Sequence, residues 1–216
     1  MSNDELRIDV EDELLWEPKV DNEAIAVSSD DGVVTLRGTV GSLRERREAT
    51  NAAKRVYGVK KLDNELQVRL LNDNRRDDAD LRGAVLQALV LDALVPSTVD
   101  ATVRDGLVTL TGTAAYQFER TEAEFVAGNI LGVAWLDDEI ELTTPSASAG
   151  DVKHSIKKAL ERDAKLDAEE LSVESSNGTV TLSGTVSSWA EHDAAINAAW
   201  AAPGVSTVDD LIFVDY

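Results

Sequence analysis

"DDGVVTLRGTV", Asp30–Val40, is a turn followed by a strand, and the chain spells it three times. It returns as "DGLVTLTGTA" at Asp105–Ala114 and as "NGTVTLSGTV" at Asn177–Val186. Asp-Gly or Asn-Gly between apolar alternations predicts a β-hairpin, because a type I′ turn needs positive φ at both central residues. A hairpin written in triplicate points first to a reused shape and only then to chemistry.

Other landmarks keep the same register. Gly32, Gly106 and Gly178 stand 74 and 72 residues apart, and so do Gly58, Gly132 and Gly204 in "YGV", "LGV" and "PGV". The strand glycines Gly38, Gly112 and Gly184 each lie 20 residues before the second set. Three coinciding series define a tandem repeat.

Each copy has one grammar. Leu6, Val10 and Leu14, then Leu81, Val85 and Leu89, then Val152, Ile156 and Leu160 recur at the spacing of one helical face. A short strand, the turn and the quoted strand follow. Its glycine predicts a close approach by another element, expected to be the second helix. Ser42 to Glu45 and Ser188 to Glu191 read as capping boxes opening that helix, while Tyr116 to Glu119 keeps half of one. Its small-residue stripe (Ala49, Ala52, Ala53; Ala123, Ala127; Ala195, Ala199) lets it lie close on a sheet. A last strand ends the copy, with Val59, Leu62, Leu66 and Val68 and their counterparts turned inward.

The predicted architecture is α+β: three tandem αββαβ domains at 1–72, 77–144 and 149–216, each a three-stranded mixed sheet against two helices. "NDNRRDDAD" (Asn72–Asp80) and "TTPSASAG" (Thr143–Gly150) read as linkers. A single ~70-residue core is marginal, so neighbouring copies are expected to lean on one another.

Composition narrows function by exclusion. A net charge of −20 and pI near 4.3 oppose general binding of nucleic acid. Without cysteine there is no disulfide, thiolate metal site or thiol catalysis. The acidic start "MSNDELRIDVEDELL" lacks the basic and apolar regions of a secretory signal, and no apolar run reaches the ~20 residues of a membrane helix. The expectation is a cytoplasmic protein.

The order of these motifs resembles the BON domain (bacterial OsmY and nodulation), whose closing motif stands here as "GVKKLDNEL", "GVAWLDDEI" and "GVSTVDDLI". The resemblance covers nearly the whole chain. It implies the αββαβ fold, no enzymatic activity, and roles in osmotic and envelope stress with phospholipid surfaces or, in one branch, potassium.

No nucleotide-binding, hydrolase or zinc-protease motif occurs, and the two histidines, His154 and His192, read as surface or helix-packing residues. No catalytic residue, cofactor or metal ligand is expected. The acids of "DDEIE" (Asp137–Glu141) and "VDD" (Val208–Asp210) read as solvated edge charges. Trp135 and Trp200 read as core, and Trp16 as a cover for the first helix end.

The one anomaly is charge distribution. Residues 1–76 carry a net −3 and residues 77–216 a net −17. Arg44, Arg46, Arg47, Lys54, Arg55, Lys60 and Lys61 crowd the second helix of copy one and the turn after it. Against a solvated helix face stands a contact patch for an anionic phospholipid or protein partner, joined by Trp189 as an exposed anchor rather than a staple. The alternatives are a self-associating scaffold, in which the basic copy docks on an acidic one of a homo-oligomer, and a potassium- or calcium-responsive binder.

Overall fold

The computed structural model describes residues 2–70, 75–143, 148–162 and 171–216. The chain divides into two compact units, Met1–Ala114 with Glu119–Glu141, and Ala115–Phe118 with Leu142–Tyr216. Copies one and two make up the first unit almost entirely, and copy three the second.

Copy one runs α1 (Asn3–Trp16), a 3₁₀ turn (Asn22–Ala24), β1 (Ile25–Asp30), β2 (Val33–Val40), α2 (Leu43–Arg55) and β3 (Lys61–Val68). Copy two repeats the order as α3 (Asp78–Leu91), β4 (Asp100–Arg104), β5 (Leu107–Ala114), α4 (Gln117–Gly128) and β6 (Trp135–Leu142). Copy three gives α5 (Ala149–Arg162), β7 (Leu171–Ser176), β8 (Thr179–Val186), α6 (Trp189–Trp200) and β9 (Thr207–Val214). Each copy has one sheet, with the quoted strand in the middle. β2 is antiparallel to β1 and parallel to β3, with Gly38 opposite Leu66; copy three sets Gly184 opposite Ile212 in the same way.

The turns are as the dipeptides predict. Asp31, Asp105 and Asn177 have φ of 48°, 53° and 50°, and each glycine that follows is also positive. Each turn then holds the start of the last strand: the carbonyl of Gly32 accepts from Lys60 N at 2.9 Å, Gly106 from Ala134 N at 2.9 Å, and Gly178 from Ser206 N at 2.8 Å.

The strand glycines have a different cause from the one expected. A Cβ on Gly38 would lie 1.9 Å from the carbonyl oxygen of Ala24, and one on Gly112 would lie 2.2 Å from that of Thr98. The backbone entering the first strand, not the second helix, excludes a side chain there, and φ of 127° and 120° excludes it again.

The cores follow the periodicity. Leu6, Val10 and Leu14 of α1 close on Val34 and Leu36 of β2 and on Ala49, Ala52 and Ala53 of α2. In copy three Val152, Ile156 and Leu160 close on Val180, Leu182, Ala195 and Ala199. Ser2 and Glu5 form a full capping box on α1. In the two predicted boxes the glutamate reaches one residue further back: Glu45 takes the N–H of Gly41 at 2.6 Å, and Glu191 that of Ser187 at 2.8 Å.

Three expectations need correction. The charge run of the first linker ends early, because Asp77 caps α3 through Ala79 N at 2.9 Å. Trp135 is 52% exposed, since odd positions of β6 face away from the helices. Trp16 is 83% exposed and covers nothing; Trp200 does pack on the core of copy three.

Candidate functional site

A strand period of two that turns Leu62, Leu66 and Val68 toward the helices must turn residue 64 there as well. That inward position is Asn64 in copy one, Asp138 in copy two and Asp210 in copy three. Opposite, on the second helix, stand Arg46, Arg120 and His192, again 74 and 72 residues apart. A polar group on a core-facing surface needs a partner. Each copy supplies a different one.

In copy two the Arg120 guanidinium pairs with Asp138, whose side chain is 7% exposed. One turn along α4, Glu124 joins the group. Burial, then a hydrogen bond to Asp138 and the charge of Asp138, push its carboxyl up to about 7, against the pull of Arg120. Glu124 thus titrates close to neutrality. Asp138 is therefore not the solvated edge charge the sequence suggests, whereas Asp210 is exposed as expected.

In copy three His192 Nε2 lies 2.8 Å from Asp210 Oδ2, and Nδ1 lies 3.1 Å from Asp193 Oδ1. Burial alone would depress the imidazole, but the bonds and charges of Asp193 and Asp210 outweigh it and raise its pKa. The position of Glu124 is taken by Ile196. His154, on α5, is exposed.

In copy one the amide of Asn64 donates to Thr50 Oγ1 at 2.7 Å and to the Arg46 carbonyl at 3.4 Å. Asn64 carries no charge to neutralise, so Arg46 turns outward to copy two. Its guanidinium lies 5.2 Å from the Trp135 ring centre and donates to the Asn64 carbonyl at 3.3 Å. Beside it the Arg47 guanidinium lies 4.4 Å from the Phe125 ring centre and donates to Asn129 Oδ1 at 2.8 Å. Burial lowers the pKa of Arg47, with Arg44 adding to the effect. A cavity of about 260 Å³ lies between the two helices, bounded by Leu43, Arg47, Glu124 and Phe125.

All three strand residues share one more bond. Oδ1 of Asn64, Asp138 and Asp210 accepts the N–H two residues on, at 2.9, 2.9 and 3.1 Å.

The basic residues singled out from the sequence therefore do not form one patch. Arg46 and Arg47 are seated on copy two. Arg55 binds Glu13 of α1 at 2.8 Å and Glu17, just past that helix, at 3.0 Å, and Lys61 pairs with Asp63 at 3.0 Å. Arg44 and Lys60 are exposed, Lys54 is half-buried, and Trp189 is partly buried against the core of copy three with its ring 4.9 Å from that of His192. Among the described residues no group of three or more His, Asp or Glu side chains could hold a metal ion, and no helix is long and apolar enough to cross a membrane. The inward polar position was missed in the sequence; its signal was a cation on helix two and an Asn or Asp on the last strand at the repeat spacing.

The BON domain family matches residues 2–69, 77–144 and 148–215. The osmotically inducible protein Y of Escherichia coli (strain K12) is 32% identical over 122 residues, 54% of this chain and 61% of its own length, so the match spans less than two thirds of that relative. Among solved structures, CdsD of Chlamydia trachomatis, a structural protein of the type III secretion system, aligns over 96% of this chain and 91% of its own at 14% identity and a TM-score of 0.27. The C-terminal domain of CdsD aligns over the full length of both chains at 13% identity and a TM-score of 0.28.

Proposed function

Because this chain belongs to the BON domain family, with three copies in tandem, we propose that it is a non-catalytic binding and assembly protein of the osmotic stress response. The stress assignment comes from its likeness to the osmotically inducible protein Y. The assembly reading is carried by one observation: the basic helix of copy one spends Arg46 and Arg47 on the aromatic and amide groups of a sister copy. The same chemistry serves a contact between chains. Dispersed charge on a very acidic protein makes such contacts salt-sensitive.

Light scattering of the full chain at low and at physiological salt tests the reading. Oligomers that dissolve as salt rises are expected; a monomer under both conditions overturns it. A second reading, an anionic phospholipid surface as partner, is favoured by Arg44, which is exposed and makes no hydrogen bond or ion pair among the described residues. Flotation on phosphatidylglycerol vesicles checks it: a chain that stays in the pellet fraction at low salt removes that reading and leaves the first untouched.

A further inference from the structure

A second cleft lies in the first unit, where β3 ends and α3 begins, with a volume of about 590 Å³. Arg69, Arg75 and Arg76 line it, with Val68, Leu70 and Ala134 supplying apolar wall. None of these three arginines makes a side-chain hydrogen bond or ion pair among the described residues. That sets them apart from Arg7, Arg37, Arg55, Arg82 and Arg120 of the same unit, which all pair with carboxylates. In a chain with 41 acids and 21 bases, three uncommitted guanidinium groups in one concavity are not explained by internal pairing.

The carboxylates at the cleft do not answer them. Asp78 accepts the N–H groups of Asp105 at 2.8 Å and Gly106 at 3.2 Å, and Asp77 caps α3. Asp105 lines the cleft from an exposed turn; the three aspartates balance the arginines in formal charge, but among the described residues none forms an ion pair with them, so the guanidinium forks stay open. Arg76 is also held in place: a Cβ on Gly132 would lie 3.4 Å from its Cγ and Cδ, so its stem runs across the glycine backbone. Only the first linker offers this; the corresponding segment before copy three, "TTPSASAG", has no basic residue.

We propose that this cleft binds a small soluble organic phosphate, with phosphate oxygens on Arg69, Arg75 and Arg76 and the organic part against Val68, Leu70 and Ala134. Guanidinium forks match phosphate oxygens two at a time, and the volume falls in the range of roughly 300–1,000 Å³ usual for small-molecule sites. Apolar wall next to the cations favours a phosphate ester over the bare ion.

Calorimetric titration of the full chain with ADP and with inorganic pyrophosphate at low salt tests this. The wild type binds ADP, and Arg75→Ala/Arg76→Ala weakens binding at least tenfold. Arg75→Lys/Arg76→Lys, which keeps the charge and loses the fork, gives an intermediate loss. Arg104→Ala, another arginine without a side-chain partner among the described residues but outside the cleft, changes binding less than twofold. Absence of ADP binding by the wild type overturns the proposal, and so does an equal loss in the Arg104→Ala chain. Vesicles containing phosphatidic acid separate the sources: flotation that depends on Arg75 and Arg76, with no ADP binding, assigns the phosphate to a lipid and overturns a soluble ligand. None of these outcomes bears on the salt-sensitive oligomers.

Discussion

Copies two and three place an aspartate at the same core-facing strand position and answer it in opposite ways. Asp138 meets a permanently charged guanidinium and is hydrogen-bonded to a second carboxyl, Glu124, whose pKa it helps to raise. Asp210 meets an imidazole that can discharge, and a second aspartate, Asp193, already attends the other ring nitrogen. Copy one removes the problem by substituting an amide, and its arginine is then available to the neighbouring copy. The lesson is that the BON scaffold fixes a polar site under its second helix without fixing what fills it, and the choice decides whether the helix looks inward or outward.

That comparison breaks most visibly at Asp138. Asp138→Leu takes from Arg120 its paired carboxylate, leaving only Glu124 nearby, and lowers the stability of copy two by about 3 kcal/mol, whereas Arg120→Leu/Asp138→Leu recovers most of the loss. Amide exchange of β5 reads both. Asp210→Leu costs less, about 1 kcal/mol, because His192 can become neutral and keeps Asp193; exchange of β8 amides measures it. Equal losses in the two copies would erase the distinction.

The pH dependence sharpens it. Glu124 in the folded chain titrates near 7 rather than at its ordinary value of 4.5, so the folded state keeps a proton the unfolded state releases. Its contribution is complete below 4.5 and is lost as pH rises to about 7. His192 is also raised, so its contribution is complete below its ordinary 6.5 and is lost as pH climbs through the higher folded value. Both units weaken with rising pH, copy two first. Urea titrations across pH 4–9 are expected to show the earlier loss vanish in Glu124→Gln and the later one vanish in His192→Gln.

The smallest effect is the most specific. Asn64→Asp gives copy one the strand residue of copy two and changes stability by only about 0.5 kcal/mol. It draws the Arg46 guanidinium off the Asn64 carbonyl and the Trp135 ring onto the new carboxylate, and the Trp135 indole signal shifts in an amide correlation spectrum. An unmoved signal would show that the outward turn of Arg46 owes nothing to the neutral amide.

Shape was more legible than partnership. Asp31-Gly32 and its two equivalents announce turns because backbone geometry admits few residues at positive φ. Leu6, Val10 and Leu14 announce a buried face because apolar spacing has one economical explanation. Asn64, Asp138 and Asp210 were hidden by their own polarity, which reads as exposure until alternation is carried through every residue of the strand. Gly38 was read correctly as a close approach, but nothing local says that the intruder is the carbonyl of Ala24, fourteen residues earlier. Arg46 and Arg47 were recognisable as contact residues; their partner, a second copy within the same chain, depends on docking that sequence periodicity does not encode.

The unlike fillings also bear on how a chain with three near-identical hairpins sorts its own strands. During folding β3 and β6 compete for the same middle strands, since "VTLRGT" and "VTLTGT" offer them equivalent ladders. If β3 completes the second copy, Arg120 faces an uncharged amide; if β6 completes the first, Asp138 arrives beneath Thr50. Charge therefore disfavours the first mispairing, which strands Arg120, more than the second, in which Asp138 can still meet Arg46, and hydrophobicity distinguishes neither.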